Sequence, residues 1–168
     1  MNKDWQKILN KELRDLEKLA VLGTGNALKA DDAAGLLVAG LLDNNLSRYQ
    51  KSKIKVLRAY EVIDSYLIRI KRLKPTHLVI VDALDFKRQP GSILVTKIDI
   101  KKKKKKRIRG EFYDFLERLA RETSCKLIFV GIQPGVLEFG HPVTPAIKEA
   151  CRKLAEFLIL KVPRKQAA

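Results

Sequence analysis

The sequence contains few of the residues that most often mark metal, redox or disulfide sites. Its 168 residues include two cysteines, two histidines and one methionine. Cys125 and Cys151 lie far apart, and neither belongs to a CxxC or Cys/His cluster. This spacing predicts neither a zinc site nor a disulfide framework, and we interpret both cysteines as small buried apolar residues.

The sequence also lacks a long apolar run. No stretch approaches the roughly 20 residues that a membrane helix requires, and the first residues, MNKDWQKILNKELRD, lack the apolar core of a signal peptide. We therefore expect a cytoplasmic protein with no membrane partner. A length of 168 residues and a hydrophobic content of 46% predict a single domain over 1–168 with a substantial core.

Acidic residues are scarce relative to basic ones. There are 35 Lys and Arg against 19 Asp and Glu, a formal net charge of +16, and the run Lys101–Arg107 supplies seven of the positive charges. This balance is compatible with nucleic-acid binding, an acidic partner or the lysine-rich surface of a thermophile. The run contains no aromatic residue for base stacking, and consecutive lysines repel one another. We therefore predict a solvated lysine-rich loop over 101–109 and do not expect nucleic acid to be the partner.

The rest of the chain alternates between strand and helix patterns. An amphipathic helix is predicted within 1–18, and helical patterns recur further on; the predicted strands are Leu19–Leu22, Lys53–Ala59, His77–Val81, Ile93–Ile98 and Lys126–Val130. Several of these strands are continuously apolar, as expected for strands covered on both faces. The alternation predicts a three-layer α/β fold with a mostly parallel, twisted sheet of about five strands and helices on both faces.

Chemistry-bearing residues follow the ends of these strands. The stretch Leu19–Gly35 is predicted to form a strand, a glycine loop and the start of a helix beginning at the adjacent carboxylates Asp31 and Asp32, one of which could simply cap that helix. Asp82 ends another strand. Because ligands of parallel sheets bind beyond the carboxyl ends of strands, Asp32 and Asp82 could share a cation or form an acid/base pair. A nicotinamide site is disfavoured because Leu28 occupies the third glycine position of GxGxxG.

Four segments together resemble a known family. They are GTGNALKADDAAG at 23–35, LKPTHLVIVDALD at 73–85, the PG turn at 90–91 and IFVGIQPGVLEFGHPVTPAIKEA at 128–150. In combination they are similar to the maturation endopeptidases of nickel-iron hydrogenases, most of all to the branch that processes the large subunit of hydrogenase 3. The resemblance extends from about Leu19 to Leu158.

The resemblance implies a cytoplasmic, monomeric α/β protease. Such a protein removes a C-terminal tail from the hydrogenase large-subunit precursor after nickel insertion, and the nickel is carried by the substrate rather than by the enzyme. The family motif places the catalytic, nickel-recognising carboxylates at Asp32 and Asp82. We expect Gly25, Asn26 and Gln133 to contact the substrate.

The chain departs from the family pattern at its third ligand. The family histidine falls at Arg109 when the segments are counted without gaps, and the only histidines are His77 and His141. We interpret His77 as structural and consider His141 as a substitute metal ligand. A guanidinium at Arg109 would instead pair with the carboxylates and repel a cation. The alternative to an active protease is therefore a weakened or inactive relative that binds the precursor or another acidic partner.

A second departure follows the second predicted strand. Family members carry an acid followed by two glycines at this point, whereas this chain has Arg58, Ala59 and Tyr60. We expect the backbone there to approach a substrate less closely than in the family.

Overall fold

The computed structural model describes residues 4–60, 64–98 and 111–162, without the side chains of Glu111 and Tyr113. The predicted lysine-rich loop and Arg109 lie outside the described residues, so the predictions made for them stay predictions.

The described chain alternates helices and strands as the sequence predicts. The helices are α1 (Asp4–Glu12), α2 (Ala34–Asn45), α3 (Arg48–Lys53), α4 (Ser65–Leu73), α5 (Glu111–Glu122) and α6 (Pro145–Leu160), with a short 3₁₀ helix at Ala30–Ala33 before α2. The strands are β1 (Leu19–Thr24), β2 (Ile54–Ala59), β3 (His77–Ala83), β4 (Ile93–Lys97) and β5 (Lys126–Ile132).

The five strands form one sheet in the order β2-β1-β3-β5-β4. The pairs β1–β2, β1–β3 and β3–β5 are parallel, whereas β4 runs antiparallel to β5. Residues of α1, α2 and α6 bury one face of the sheet, and those of α4 and α5 bury the other. The predicted three-layer α/β fold is confirmed.

The central strands are apolar because both of their faces are covered. Every residue of β1 is buried, and β3 and β5 are buried over most of their length. The α2 helix follows the first strand and packs close to the strand ends. A Cβ atom on Gly35 would lie 2.1 Å from the carbonyl oxygen of Val81 and 2.4 Å from that of Thr24. Glycine at this position therefore sets how closely α2 approaches β1 and β3.

The structure corrects three details of the sequence interpretation. The first helix ends at Glu12 rather than near residue 18, and α3 was not predicted. Ser47 begins α3 through a capping box with Gln50, a Ser-x-x-Gln pattern that is visible in the sequence. Of the two cysteines, Cys151 is buried but Cys125 is only partly so. In the described part of the chain, no helix has the length and apolar character needed to cross a membrane.

Candidate active site

The glycine loop after β1 holds the first predicted carboxylate. Gly25 has a φ of 134°, and a Cβ atom there would lie 1.9 Å from the backbone oxygen of Asp32. The next residue, Asn26, donates its backbone N–H to Asp32 Oδ2 at 3.2 Å, and its side-chain oxygen accepts the N–H of Leu28 at 2.9 Å. Gly25 and Asn26 therefore fold the loop tightly around Asp32, which is partly buried.

The second predicted carboxylate, Asp82, lies near the end of β3 and interacts with the first. Burial is the main cause that raises the pKa of Asp82 to about 6, and the negative charge of Asp32 raises it further. A hydrogen bond from the backbone N–H of Ala83 to Asp82 Oδ1, at 2.9 Å, acts in the opposite direction. The fold thus brings together Asp82, near the end of β3, and Asp32, on the 3₁₀ helix that follows the loop after β1.

Asp31 has a structural role that the sequence interpretation did not identify. It is fully buried, and its carboxylate accepts hydrogen bonds from the backbone N–H groups of Gly135 (2.9 Å), Val136 (2.9 Å) and Thr144 (2.7 Å) and from the Thr144 hydroxyl (3.1 Å). Burial by itself raises the pKa of Asp31, but these bonds outweigh it and lower the pKa. Asp31 therefore ties the loop after β5 to the segment that carries Asp32.

This arrangement corrects the interpretation of Asp31 or Asp32 as a helix cap. Neither Asp31 nor Asp32 caps the helix that follows it, since no side-chain cap bond is made at Ala30–Ala33 or at the start of α2. Thr144 does occupy the N-cap position of α6, but its hydroxyl donates to Asp31 instead of capping α6. A local pattern could not show this, because the two partners are more than one hundred residues apart in sequence.

Gln133 lies inside the loop that follows β5. Its side-chain oxygen accepts the N–H groups of Phe86 (2.9 Å) and Arg88 (3.1 Å), and its nitrogen donates to Asp85 Oδ1 (3.2 Å) and to the Pro134 carbonyl (3.1 Å). These bonds use both hydrogens and both lone pairs of the amide. In this structure Gln133 holds the segment after β3 in place, and contact with a substrate would require some of these bonds to break.

The two histidines occupy different environments. His77 is buried at the start of β3, at the opposite end of the strand from Asp82, and its Nδ1 lies 3.0 Å from the Thr76 hydroxyl oxygen. His141 is exposed, and its Nε2 lies 3.2 Å from Glu138 Oε2. Within residues 4–60, 64–98 and 111–162, no group of three or more His, Cys, Asp or Glu side chains is placed to hold a metal ion. The structure therefore assembles the two aspartates without bringing His141 to them as a third ligand.

The Arg58 side chain is directed to α2. Its Nη2 lies 2.8 Å from Asp43 Oδ2, and the Tyr66 hydroxyl donates to its carbonyl oxygen. Arg58 lies in the C-terminal half of β2, in register with Gly23 of β1. The Arg58 guanidinium therefore forms an ion pair with Asp43 at the edge of the sheet.

A cleft of about 970 Å³ lies beside the site rather than over it. Trp5 of α1, the segment Phe86–Leu94 and the first turns of α6 contribute to its lining, and neither Asp32 nor Asp82 forms part of its wall.

Comparisons with known proteins identify the family. The model of the family described as hydrogenase maturation protease matches residues 42–161. The hydrogenase 3 maturation protease of Escherichia coli K12 is 30% identical over 131 residues, which covers 77% of this chain and 81% of that protein.

Solved structures agree. The solution structure of the endopeptidase HycI from Escherichia coli is similar with a TM-score of 0.69 and 27% identity, covering 83% of this chain and 87% of the other. A crystal structure of a [NiFe] hydrogenase maturation protease HycI from Thermococcus kodakarensis KOD1 has the same fold, with a TM-score of 0.79 at 23% identity over 92% of this chain and 97% of the other. The chain belongs to the hydrogenase maturation protease family.

Proposed function

We propose that this peptidase removes the C-terminal tail of a nickel-iron hydrogenase large-subunit precursor after nickel insertion, and that Asp32 and Asp82 recognise the nickel within the substrate. The observation that carries the proposal is the convergence of two carboxylates, one near the end of β3 and one on the 3₁₀ helix that follows β1, close enough for the charge of Asp32 to raise the pKa of Asp82. Membership of the family supplies the reaction class. The expected cytoplasmic location belongs to the same proposal.

The chemistry of the pair suits a cation delivered by the substrate. At neutral pH the Asp82 carboxyl group, with a pKa of about 6, is mostly ionised. Asp82 and Asp32 therefore repel each other in a site that is partly shielded from water. A divalent cation between them removes that repulsion and gains two oxygen ligands. The cation would then act as a Lewis acid on a nearby scissile carbonyl, with the carboxylates fixing its position.

A second candidate function is recognition of the precursor without cleavage. The described residues supply no third His, Cys, Asp or Glu ligand beside the two aspartates, and His141 Nε2 lies 3.2 Å from Glu138 Oε2. Under this hypothesis the same surface binds the nickel-loaded precursor, and the tail stays attached.

The test is a processing assay with purified protein and nickel-loaded precursor, followed by intact mass spectrometry. We expect loss of the tail with the wild type and no loss with Asp32→Ala or Asp82→Ala. Nickel-free precursor should remain uncut. Binding of the precursor without any change in its mass would instead support the noncatalytic candidate.

Asp114→Ala is the matched control. Asp114 is an exposed aspartate on α5, which covers the face of the sheet opposite to α2 and α6. The variant should therefore process the precursor at close to the wild-type rate. His141→Ala in the same assay shows whether this histidine becomes a ligand once substrate is bound: a loss of processing as large as that of the aspartate variants would assign it that role.

A further inference from the structure

Three large apolar side chains lie exposed on two loops at the edge of the candidate active site. Leu28 of the glycine loop is 72% exposed, and Leu137 and Phe139 of the loop after β5 are 42% and 67% exposed. We call these three residues the apolar rim. A cluster of exposed apolar side chains bordered by polar groups is typical of a surface that binds another protein.

A backbone hydrogen bond and a side-chain contact hold the two loops of the apolar rim together. The N–H of Gly140 donates to the Leu28 carbonyl at 2.9 Å, and Lys29 Nζ lies 5.7 Å from the centre of the Phe139 ring. On the other side, the carboxylate of Asp31 fixes the start of the loop that carries Leu137. The three side chains are therefore presented by positioned loops, and little ordering is needed when a partner covers them.

The apolar rim adjoins the carboxylates. Asn26 donates its N–H to Asp32, and Leu28 follows Asn26 by two residues, a span of at most about 7 Å. A protein whose metal ion reaches Asp32 must therefore cover part of the apolar rim as well. A free metal ion or a short polar peptide would leave it exposed.

We propose that the apolar rim docks a folded precursor protein through an apolar surface next to that protein's metal site. This inference rests on the proposed function and adds to it the chemistry of the partner surface. The occupant is the metal-bearing precursor itself, because the rim lies within one loop of the residues that would meet the metal. The carboxylates then recognise the metal, and the apolar rim sets the affinity for the protein around it.

The test compares two double variants. Leu28→Ser/Phe139→Ser removes most of the rim, and Ile68→Ser/Leu160→Ser is the matched control, since Ile68 on α4 and Leu160 at the end of α6 are 60% and 77% exposed. All four side chains are exposed, so neither variant should disturb folding, which thermal unfolding checks. We expect the rim variant to bind nickel-loaded precursor about tenfold or more weakly and to show the same rise in KM with little change in kcat. The control variant should match the wild type.

The outcomes separate this inference from the proposed function. A rim variant with unchanged Kd and KM beside an active wild type would overturn the docking surface and leave the protease intact. A wild type that neither binds nor cleaves the precursor would overturn both. Sedimentation velocity tests whether a second copy of this chain occupies the apolar rim. If the wild type dimerises and the rim variant is monomeric, the apolar rim joins two copies of this chain and the inference is wrong.

Discussion

At the scale of single residues, four aspartates near one sheet edge show how environment decides the role of a carboxylate. Asp31 is buried among hydrogen-bond donors, and its pKa is lowered. Asp85 is exposed, and the hydrogen bond from the Lys87 side chain is the main cause that lowers its pKa to about 2. Asp82 is partly buried and interacts with Asp32, it has fewer donors, and its pKa is raised to about 6. The ionised carboxylates of Asp82 and Asp32 therefore raise the energy of the folded protein, and a bound cation would lower it again.

Because the ionised Asp82 side chain is unfavourable in the folded protein, we predict that Asp82→Asn stabilises the protein at neutral pH. The folded pKa of Asp82 lies above the unfolded value, so its contribution is favourable below about pH 4 and is lost as the pH rises through about 6. The difference between the ordinary pKa of 3.8 and about 6 corresponds to up to about 3 kcal/mol. We expect the Asp82→Asn variant to exceed the wild type in free energy of unfolding by up to that amount at pH 7.5, with the gap closing near pH 4. Urea unfolding across this pH range measures it.

Asp85→Asn provides a control of opposite sign. The lowered pKa of Asp85 means that its carboxylate stabilises the folded protein above about pH 4. That contribution to stability is lost as the pH falls towards 2. This variant should therefore be less stable than the wild type at neutral pH and approach it in acid. If both variants changed stability in the same direction with pH, the assignment of a raised pKa to Asp82 and a lowered pKa to Asp85 would be wrong.

Asp31 leads to a separate prediction about the loop after β5. Asp31→Ala would leave the N–H groups of Gly135, Val136 and Thr144 without their carboxylate acceptor, which is fully buried although the three donors are at most partly buried. We expect a loss of about 2–3 kcal/mol in the free energy of unfolding, since several hydrogen bonds to one charged group are lost while water can reach some of the freed donors. Native-state hydrogen exchange should show these three amides losing protection more than those of β3. Unchanged protection at Gly135 and Val136 would contradict this role.

At the scale of elements, the close contact between α2 and the sheet requires glycine at Gly35 of α2 and at Gly23 of β1, where a Cβ atom would lie 2.1 Å from the Gly35 carbonyl oxygen. A Cβ atom on Gly35 would meet three backbone atoms within 2.7 Å, and backbone atoms cannot rotate away as a side chain can. Gly40 lies on the same helix, and a Cβ atom there would meet only the end of the Arg58 side chain at 3.8 Å. Close packing of α2 therefore requires glycine at position 35 but not at position 40.

This difference predicts opposite effects of the same substitution. Gly35→Ala should destabilise the protein by about 3 kcal/mol or more because α2 must move away from β1 and β3. Gly40→Ala should stabilise it by about 0.5–1 kcal/mol through helix propensity alone. Thermal and urea unfolding of the two variants provide the comparison. A Gly35→Ala variant as stable as Gly40→Ala would show that the packing of α2 is not tight.

The sequence predicts the elements better than their connections. Continuous apolar runs identify β1, β3 and β5 because these strands are covered on both faces, and the steps of three and four identify the helices. The short α3 lacks a long apolar face and was missed although its capping box was visible. The pairing of Asp82 with Asp32 could be predicted from the sequence, because Asp82 lies near the end of one parallel strand and Asp32 follows another. The role of Asp31 could not be predicted from the sequence, because its hydrogen-bond partners come from the distant loop before α6.

At the scale of the whole molecule, the formal net charge of +16 opposes the compact state. Added salt screens this repulsion. We expect the melting temperature to rise by a few degrees between about 10 mM and about 150 mM sodium chloride, corresponding to about 1 kcal/mol. Calorimetry at pH 7 measures the shift, and near pH 10, where lysines begin to lose their charge, the salt effect should shrink. A fall in melting temperature with salt at pH 7 would mean that favourable ion pairs dominate instead.

The position of α1 has a consequence for the nascent chain on the ribosome. The ring of Trp5 packs against that of Phe157 at 5.3 Å, and α1 lies next to β4, whose strand partner among the described residues is β5. The α1 helix therefore packs against partners that are synthesised up to about 150 residues after it. At translation rates of roughly 5–20 residues per second, its apolar face stays uncovered for roughly 10–30 s. Until α6 emerges, this face is available to chaperones.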